Sequence, residues 1–230
     1  MKITTKNTYL DNFLLGILAG VSIGIGGMLY IICVTYVNKY LGGVAFSIGL
    51  LTVCYFGLHL YTGKIGYLTE NNRKFIISLL IMYVGNIIGA VGFGYFLRLV
   101  EFNSGAIAES IKNISLKKTI NIGNGIGQQW WNMLIMGFFC CNLVFLGVDI
   151  YKKNKNWLVK IFGIVICVAI FVILGMEHCV ADLFYLAVGN VYPSHLLGAI
   201  LGILISTIGN SIGALVFYQL INNSSVKNIL

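Results

Sequence analysis

Ionisable residues set among long apolar stretches are the places where this chain could do chemistry. Glu177, His178 and Asp182 lie between two charge-free stretches, 161–176 and 183–226, and His59 lies within a third, 40–63, which Lys64 closes. An ionisable group inside a membrane span is costly and marks a substrate or proton path by default. A histidine titrates near neutrality, so at mid-depth it could lend a proton or a hydrogen bond to a small anion. Such an anion loses its hydration in a dry apolar neck, and helix N-termini or a basic group would offset part of that loss. His178 stands some 20 residues beyond Trp157. A regular helix would carry it to the far headgroup level. The further apolar stretch Leu183–Val188, ahead of Gly189-Asn190, favours an interior place instead. His195 follows Tyr192-Pro193-Ser194 and reads as interfacial, and His59 fits either setting. Three scattered histidines form no nucleophile–base pair or metal cluster. The six cysteines, at 33, 54, 140, 141, 167 and 179, contain no C-x-x-C and read as small apolar packing residues. Neither an enzyme nor a bound cofactor or metal is expected.

The elements that must position these residues follow from composition. Of 230 residues, 58% are apolar and 10% charged, and the mean hydropathy is +0.90. An average soluble domain carries about 25% charge, so this chain cannot supply a polar skin. A cytosolic enzyme, a disordered chain and a secreted disulfide scaffold are excluded. The long unbroken apolar runs also differ from the alternating segments of a β-barrel. Charge-free intervals long enough to cross a bilayer give six spans, about 12–37, 43–70, 73–99, 126–151, 157–190 and 195–220. The chain reads as one all-α transmembrane domain, 1–230, with halves of about 1–100 and 126–230 joined by a polar outer loop, 101–125.

The first apolar run is longer than a signal-peptide core and reads as a retained helix. With six spans both termini share a side. That side collects Lys2, Lys6, Arg73, Lys74, Lys152, Lys153, Lys155 and Lys227, and the loop Tyr151–Asn156 holds three of these lysines. Positive-inside bias makes it cytoplasmic. The same bias explains the net charge of +8 without nucleic acid.

An internal repeat ties the halves together. Residues 85–93 read GNIIGAVGF and residues 209–217 read GNSIGALVF, both fitting G-N-x-I-G-A-x-x-F. One copy lies in span 3 and the other in span 6, so three spans per half would give them opposite orientations, the inverted-repeat design of many transporters. The small residues suit close helix approach, and Asn86 and Asn210 read as interhelical hydrogen-bond groups. Spans 2 and 5 should then be broken, within Gly57–Lys64 and Leu174–Asp182.

These stretches resemble the formate/nitrite transporter family over nearly the whole chain. Leu60-Tyr61-Thr62-Gly63 is similar to its Leu-Phe-Thr-Gly break, Cys141-Asn142 to its Cys-Asn pair, and Glu177-His178 to its most specific signature. Leu18–Gly27 and Gly209-Asn210 also match, and Phe46 and Leu50 precede Thr62 by 16 and 12 residues, as in its pore wall. The resemblance implies an aquaporin-like protomer in a homopentamer, each protomer holding its own pore in the cell membrane. It implies apolar necks at Leu60 and Phe171 on either side of His178, with Thr62 and Asn142 beside it. Phe46, Leu50, Leu174 and Lys64 complete the expected pore set. The implied cargo is a small monovalent anion or its neutral acid: formate, nitrite or hydrosulfide. The chain departs from the family pattern at three points. His59 stands before Leu60 where an acidic or small residue is common. The family's lysine, 16 residues before the span-4 asparagine, is replaced by Ile126, so that Lys117 or Lys118 could substitute only across an insertion. Asparagines of the family are replaced by Lys64 and Asp182, which suggests an ion pair between the broken spans.

A substrate-binding membrane subunit of a small-molecule importer is the alternative reading. The break motifs in spans 2 and 5 weigh against it. A water or glycerol channel would carry two Asn-Pro-Ala loops, and the sequence has neither.

Overall fold

A computed structural model describes residues 9–123 and 125–224. Lys2, Lys6 and Lys227, used above for orientation, lie outside the described residues. The described chain is helical: α1 Tyr9–Tyr36, α2 Lys39–Tyr55, α3 Arg73–Leu99, α4 Gly105–Lys117, α5 Trp130–Lys153, α6 Trp157–Ile173, α7 Cys179–Val188 and α8 Tyr192–Asn222. A short 3-10 turn covers Ile65–Glu70. Asparagines set three of the starts. Asn38, Asn72 and Asn156 each turn a side-chain oxygen onto backbone N–H groups of the first turn of α2, α3 and α6, satisfying donors that have no partner within the helix.

Four helices, α1, α3, α5 and α8, are long and apolar enough to cross a bilayer. They fall on the expected spans 1, 3, 4 and 6, and α3 has the expected bounds of 73–99. The other two expected spans are covered by shorter pieces: α2 with the 3-10 turn, and α6 with α7. The segment 101–125, expected as a loop, contains the amphipathic helix α4.

The helices are apolar inside and out, as lipid surroundings require. On α8 the stripe Ile200, Leu204, Ile208, Ile212 and Val216 is exposed at four-residue spacing. The opposite face is small and buried, with Gly198, Gly202, Ser206, Gly209 and Gly213.

The repeated motif forms two matching crossings. On α3, a Cβ at Gly89 would strike the Ile17 carbonyl of α1, and one at Gly85 would sit 2.5 Å from the Phe13 carbonyl. On α8, a Cβ at Gly213 would strike the Phe138 carbonyl of α5, and one at Gly209 would sit 2.5 Å from the Leu134 carbonyl. Only glycine allows backbones to approach this closely. Helices α2, α6 and α7 pack around these two crossings, and the buried core runs between them through Phe46, Leu60, Phe171 and Phe184.

Candidate functional site

Two chain breaks build the centre, and both are made in the same way. Helix α2 ends at Tyr55 and α6 at Ile173, and Gly57 and Gly175 follow with φ of +64° and +68°. Leu58 N–H donates to the Val53 carbonyl at 2.8 Å, and Met176 N–H donates to the Phe171 carbonyl at 2.9 Å. Gly57 and Gly175 N–H reach the carbonyls of Cys54 and Val172. This pair of bonds closes a helix through a left-handed glycine. The chain then runs without helical bonds into the protein interior.

The motif asparagines hold the exposed backbone there. Asn86 Nδ2 donates to the carbonyls of His59 (2.8 Å) and Gly16 (2.9 Å), while its Oδ1 accepts from Tyr61 N–H at 2.9 Å. Asn210 does the same at the second break, with the carbonyls of Glu177 and Gly137 (both 2.8 Å) and with Cys179 N–H (2.9 Å). Both asparagines are fully buried. They therefore bridge helices, as read from the sequence. The residue each clamp brackets is Leu60 at the first break and His178 at the second.

His178 caps α7. Its Nδ1 accepts from Ala181 N–H at 3.2 Å, and its Nε2 lies 2.9 Å from Thr62 Oγ1. A ring nitrogen that accepts a backbone N–H carries no proton, so the proton sits on Nε2 and is donated to Thr62. The ring is thus held as neutral imidazole, and charging it would break the cap. The Phe171 ring stacks on it with centroids 6.0 Å apart and planes at 19°, and Phe46 meets Phe171 edge-on at 5.8 Å. Cys141 Sγ reaches the Thr62 carbonyl at 3.5 Å, which brings the middle of α5 alongside. The neighbouring Asn142 has a buried Oδ1 with no hydrogen-bond partner among the described residues.

A cavity opens at each end of this centre. The larger, about 670 Å³, is lined by Phe46, Phe171, Leu174, His178, Lys118 and Glu177, among others. The smaller, about 190 Å³, is lined by Leu60, Lys64, Val148 and Lys152 among others. Helix α5 measures their separation: Asn132 and Met136 face the first and Val148 and Lys152 the second. At 1.5 Å per residue that is about 24 Å between Asn132 and Val148, with Cys141 between them. Leu50 is buried and touches neither cavity, and Leu174, 59% exposed, forms rim rather than neck.

The expected ion pair between Lys64 and Asp182 does not form. Asp182 instead lies 3.2 Å from Lys118 Nζ, while Lys64 lines the opposite cavity. Lys118 also pairs with Glu177 at 2.9 Å and donates to the Met176 carbonyl at 3.4 Å. The Glu177 carboxylate is taken by Lys118 and by Gln128 Nε2 at 2.7 Å. The segment after α4 delivers Lys118 to this place. Ile120 N–H bonds the Gly198 carbonyl, Gln128 N–H bonds the Thr119 carbonyl, and the strip lies against α8. Burial disfavours the charged Lys118, but Asp182 and Glu177 together outweigh it and hold its pKa above the ordinary lysine range. Sequence offered Lys118 only as a candidate, because the loop that folds it inward shows no periodic signal. Among the described residues, no group of three or more His, Cys, Asp or Glu side chains is arranged to hold a metal ion.

Comparison with known proteins agrees with this fold. The family model described as formate/nitrite transporter matches residues 2–223. The formate channel FocA of Haemophilus influenzae is 26% identical over 191 residues, covering 77% of this chain and 66% of that protein. An Entamoeba histolytica formate-nitrite transporter is 29% identical and is covered to 63%. The chain thus spans slightly under two thirds of the length of these two relatives. The uncharacterized transporter YrhG of Bacillus subtilis is 30% identical over 224 residues, covering 90% of this chain and 82% of that protein. In structure, the fold is similar to a pentameric formate channel with formate bound, with a TM-score of 0.82 at 23% identity over 96% of this chain and 100% of that one.

Proposed function

Since the chain belongs to the formate/nitrite transporter family, we propose that it passes small monovalent weak-acid anions, such as formate, nitrite or hydrosulfide, across the cell membrane. Six spans in two inverted repeats make one protomer, with α2 and α6–α7 as the broken ones. Both termini lie on the cytoplasmic side and five protomers assemble in lipid. The observation that carries the reading is the His178–Thr62 hydrogen bond, 2.9 Å long, set between two cavities. Phe171 and Phe46 close one side and Leu60 the other, and all three are buried to within 3%.

In this mechanism the anion enters the larger cavity and approaches the N-terminal end of α7, where backbone N–H groups favour negative charge. Thr62 accepts the Nε2 proton of His178, so its hydroxyl hydrogen is free to point at the anion. Asn142 Oδ1, buried without a hydrogen-bond partner among the described residues, can accept from the hydroxyl of the neutral acid. The apolar necks penalise the bare anion and favour the neutral acid. A neutral His178 orients this hydrogen bond and keeps its own proton, so the acid's proton comes from water at the mouth. The importer-subunit reading gives no role to the paired breaks.

The test is a proteoliposome flux assay with formate, nitrite and hydrosulfide, with glycerol and sulfate as controls. Rapid flux of at least one weak acid, with both controls excluded, is expected. Flux indistinguishable from empty liposomes for all three would overturn the proposal.

A further inference from the structure

The smaller cavity holds a feature that the mechanism above leaves unused. Lys64 lines it at the first break, and Lys152 enters from the last turn of α5, with Nζ 5.1 Å from the Tyr67 ring centre. Lys64 forms no ion pair among the described residues, although it is only partly exposed. Nearby Lys153, by contrast, is already paired with Asp149 at 2.9 Å. Among the described residues no carboxylate lines this cavity, whereas the larger one holds Glu177 and Asp182 against Lys118. The helix ends that face it are the carboxyl ends of α2 and α5, which carry partial negative charge. Backbone alone would therefore repel an anion here. Two lysine side chains reverse that field.

We propose that Lys64 and Lys152 form a second anion-binding site, at the mouth beyond Leu60, for a small monovalent anion. It rests on the proposed transport reading for the identity of that anion. The site concentrates anions at the end that carries Lys152, Lys153 and Lys155, immediately before the Leu60 neck. Lys64 is the principal group, because it sits deeper. Lys152 is more exposed and its charge is better screened.

The same cavity contains a reporter, since Cys54 lines its wall. Among the six cysteines only Cys33 is similarly accessible, the other four being buried. In a Cys33→Ser background, the modification rates of Cys54 by an anionic and a cationic thiosulfonate of equal size measure the local field. Leu58→Cys, on the same wall, provides a second reporter site for the same measurement. The parent should favour the anionic reagent, and formate should slow its reaction. Lys64→Gln should lower the anionic-to-cationic rate ratio about tenfold, the scale of removing one unit charge at close range in a partly screened site. Lys64→Arg should preserve the ratio, and Lys152→Gln should lower it about threefold. A ratio near that of free cysteine in the parent, no change in Lys64→Gln, or no protection by formate at either reporter would overturn the proposal. The lysines would then only neutralise helix ends. If parent liposomes pass no weak acid while the ratio still responds to Lys64, the transport reading fails and the anion site stands.

Discussion

Replacing Lys118 with glutamine tests the charge cluster at the larger mouth. Lys118 is the only cation within reach of both Glu177 and Asp182 among the described residues, at 2.9 and 3.2 Å. All three side chains are at most 10% exposed. Its loss leaves two buried carboxylates facing each other. Removing one partner of a buried ion pair costs about 3–5 kcal/mol. A chain of this length loses roughly 2–4 °C in melting temperature per kcal/mol, so the expected drop is roughly 6–20 °C. Asp182→Asn should be tolerated, because Lys118 and Glu177 remain a balanced pair. Adding Asp182→Asn to Lys118→Gln should recover part of the loss. The triple variant with Glu177→Gln should approach the parent. The assay is thermal unfolding of detergent-solubilised protein, followed by size-exclusion recovery and arranged as a mutant cycle. Lys118 stays charged up to and beyond the ordinary lysine pKa of about 10.4. A raised lysine pKa stabilises fully below that value and is lost only as pH rises through the folded pKa, so the parent keeps this contribution across neutral pH. A Lys118→Gln protein as stable as the parent, or losses that simply add across the cycle, would refute the reasoning.

Three further outcomes are expected. His178→Asn keeps an acceptor for Ala181 N–H and a donor for Thr62, so formate flux should fall by about tenfold or less, the scale of one weakened hydrogen bond, while its rise toward acid pH persists. Loss of that pH dependence would show that the ring itself supplies the proton. Leu60→Ala and Phe171→Ala should each widen a neck and admit a larger acid such as lactate, measured by liposome uptake, and unchanged exclusion in both would remove these residues from the pore wall. Gly89→Ala and Gly213→Ala should each force α1 from α3 or α5 from α8, because the added methyl meets a backbone carbonyl. Normal yields of monodisperse protein from both variants would contradict the crossings described here.

Much of this protein was legible in its sequence, because bilayer physics writes itself into composition. Charge-free length fixed the four long helices to within a few residues. The repeated Gly-Asn motif marked both crossings and the asparagines that clamp the breaks, since only small residues permit such approach and an amide can donate to two carbonyls while accepting an N–H. The sequence also singled out His178 and Thr62 at their two breaks. It did not reveal which tautomer His178 adopts, because that depends on Ala181 N–H pointing at Nδ1 from the first turn of α7. It also misassigned Asp182. Opposite charges in two broken segments suggested a pair, but Lys64 and Asp182 face different cavities. The partner came from the irregular strip after α4, where no periodicity constrains a side chain's direction. Local sequence determined the four long apolar helices, whereas α4 lies in a segment expected as a loop. The tertiary structure alone decided which charges meet, because a buried ion pair depends on distances between elements far apart in the chain.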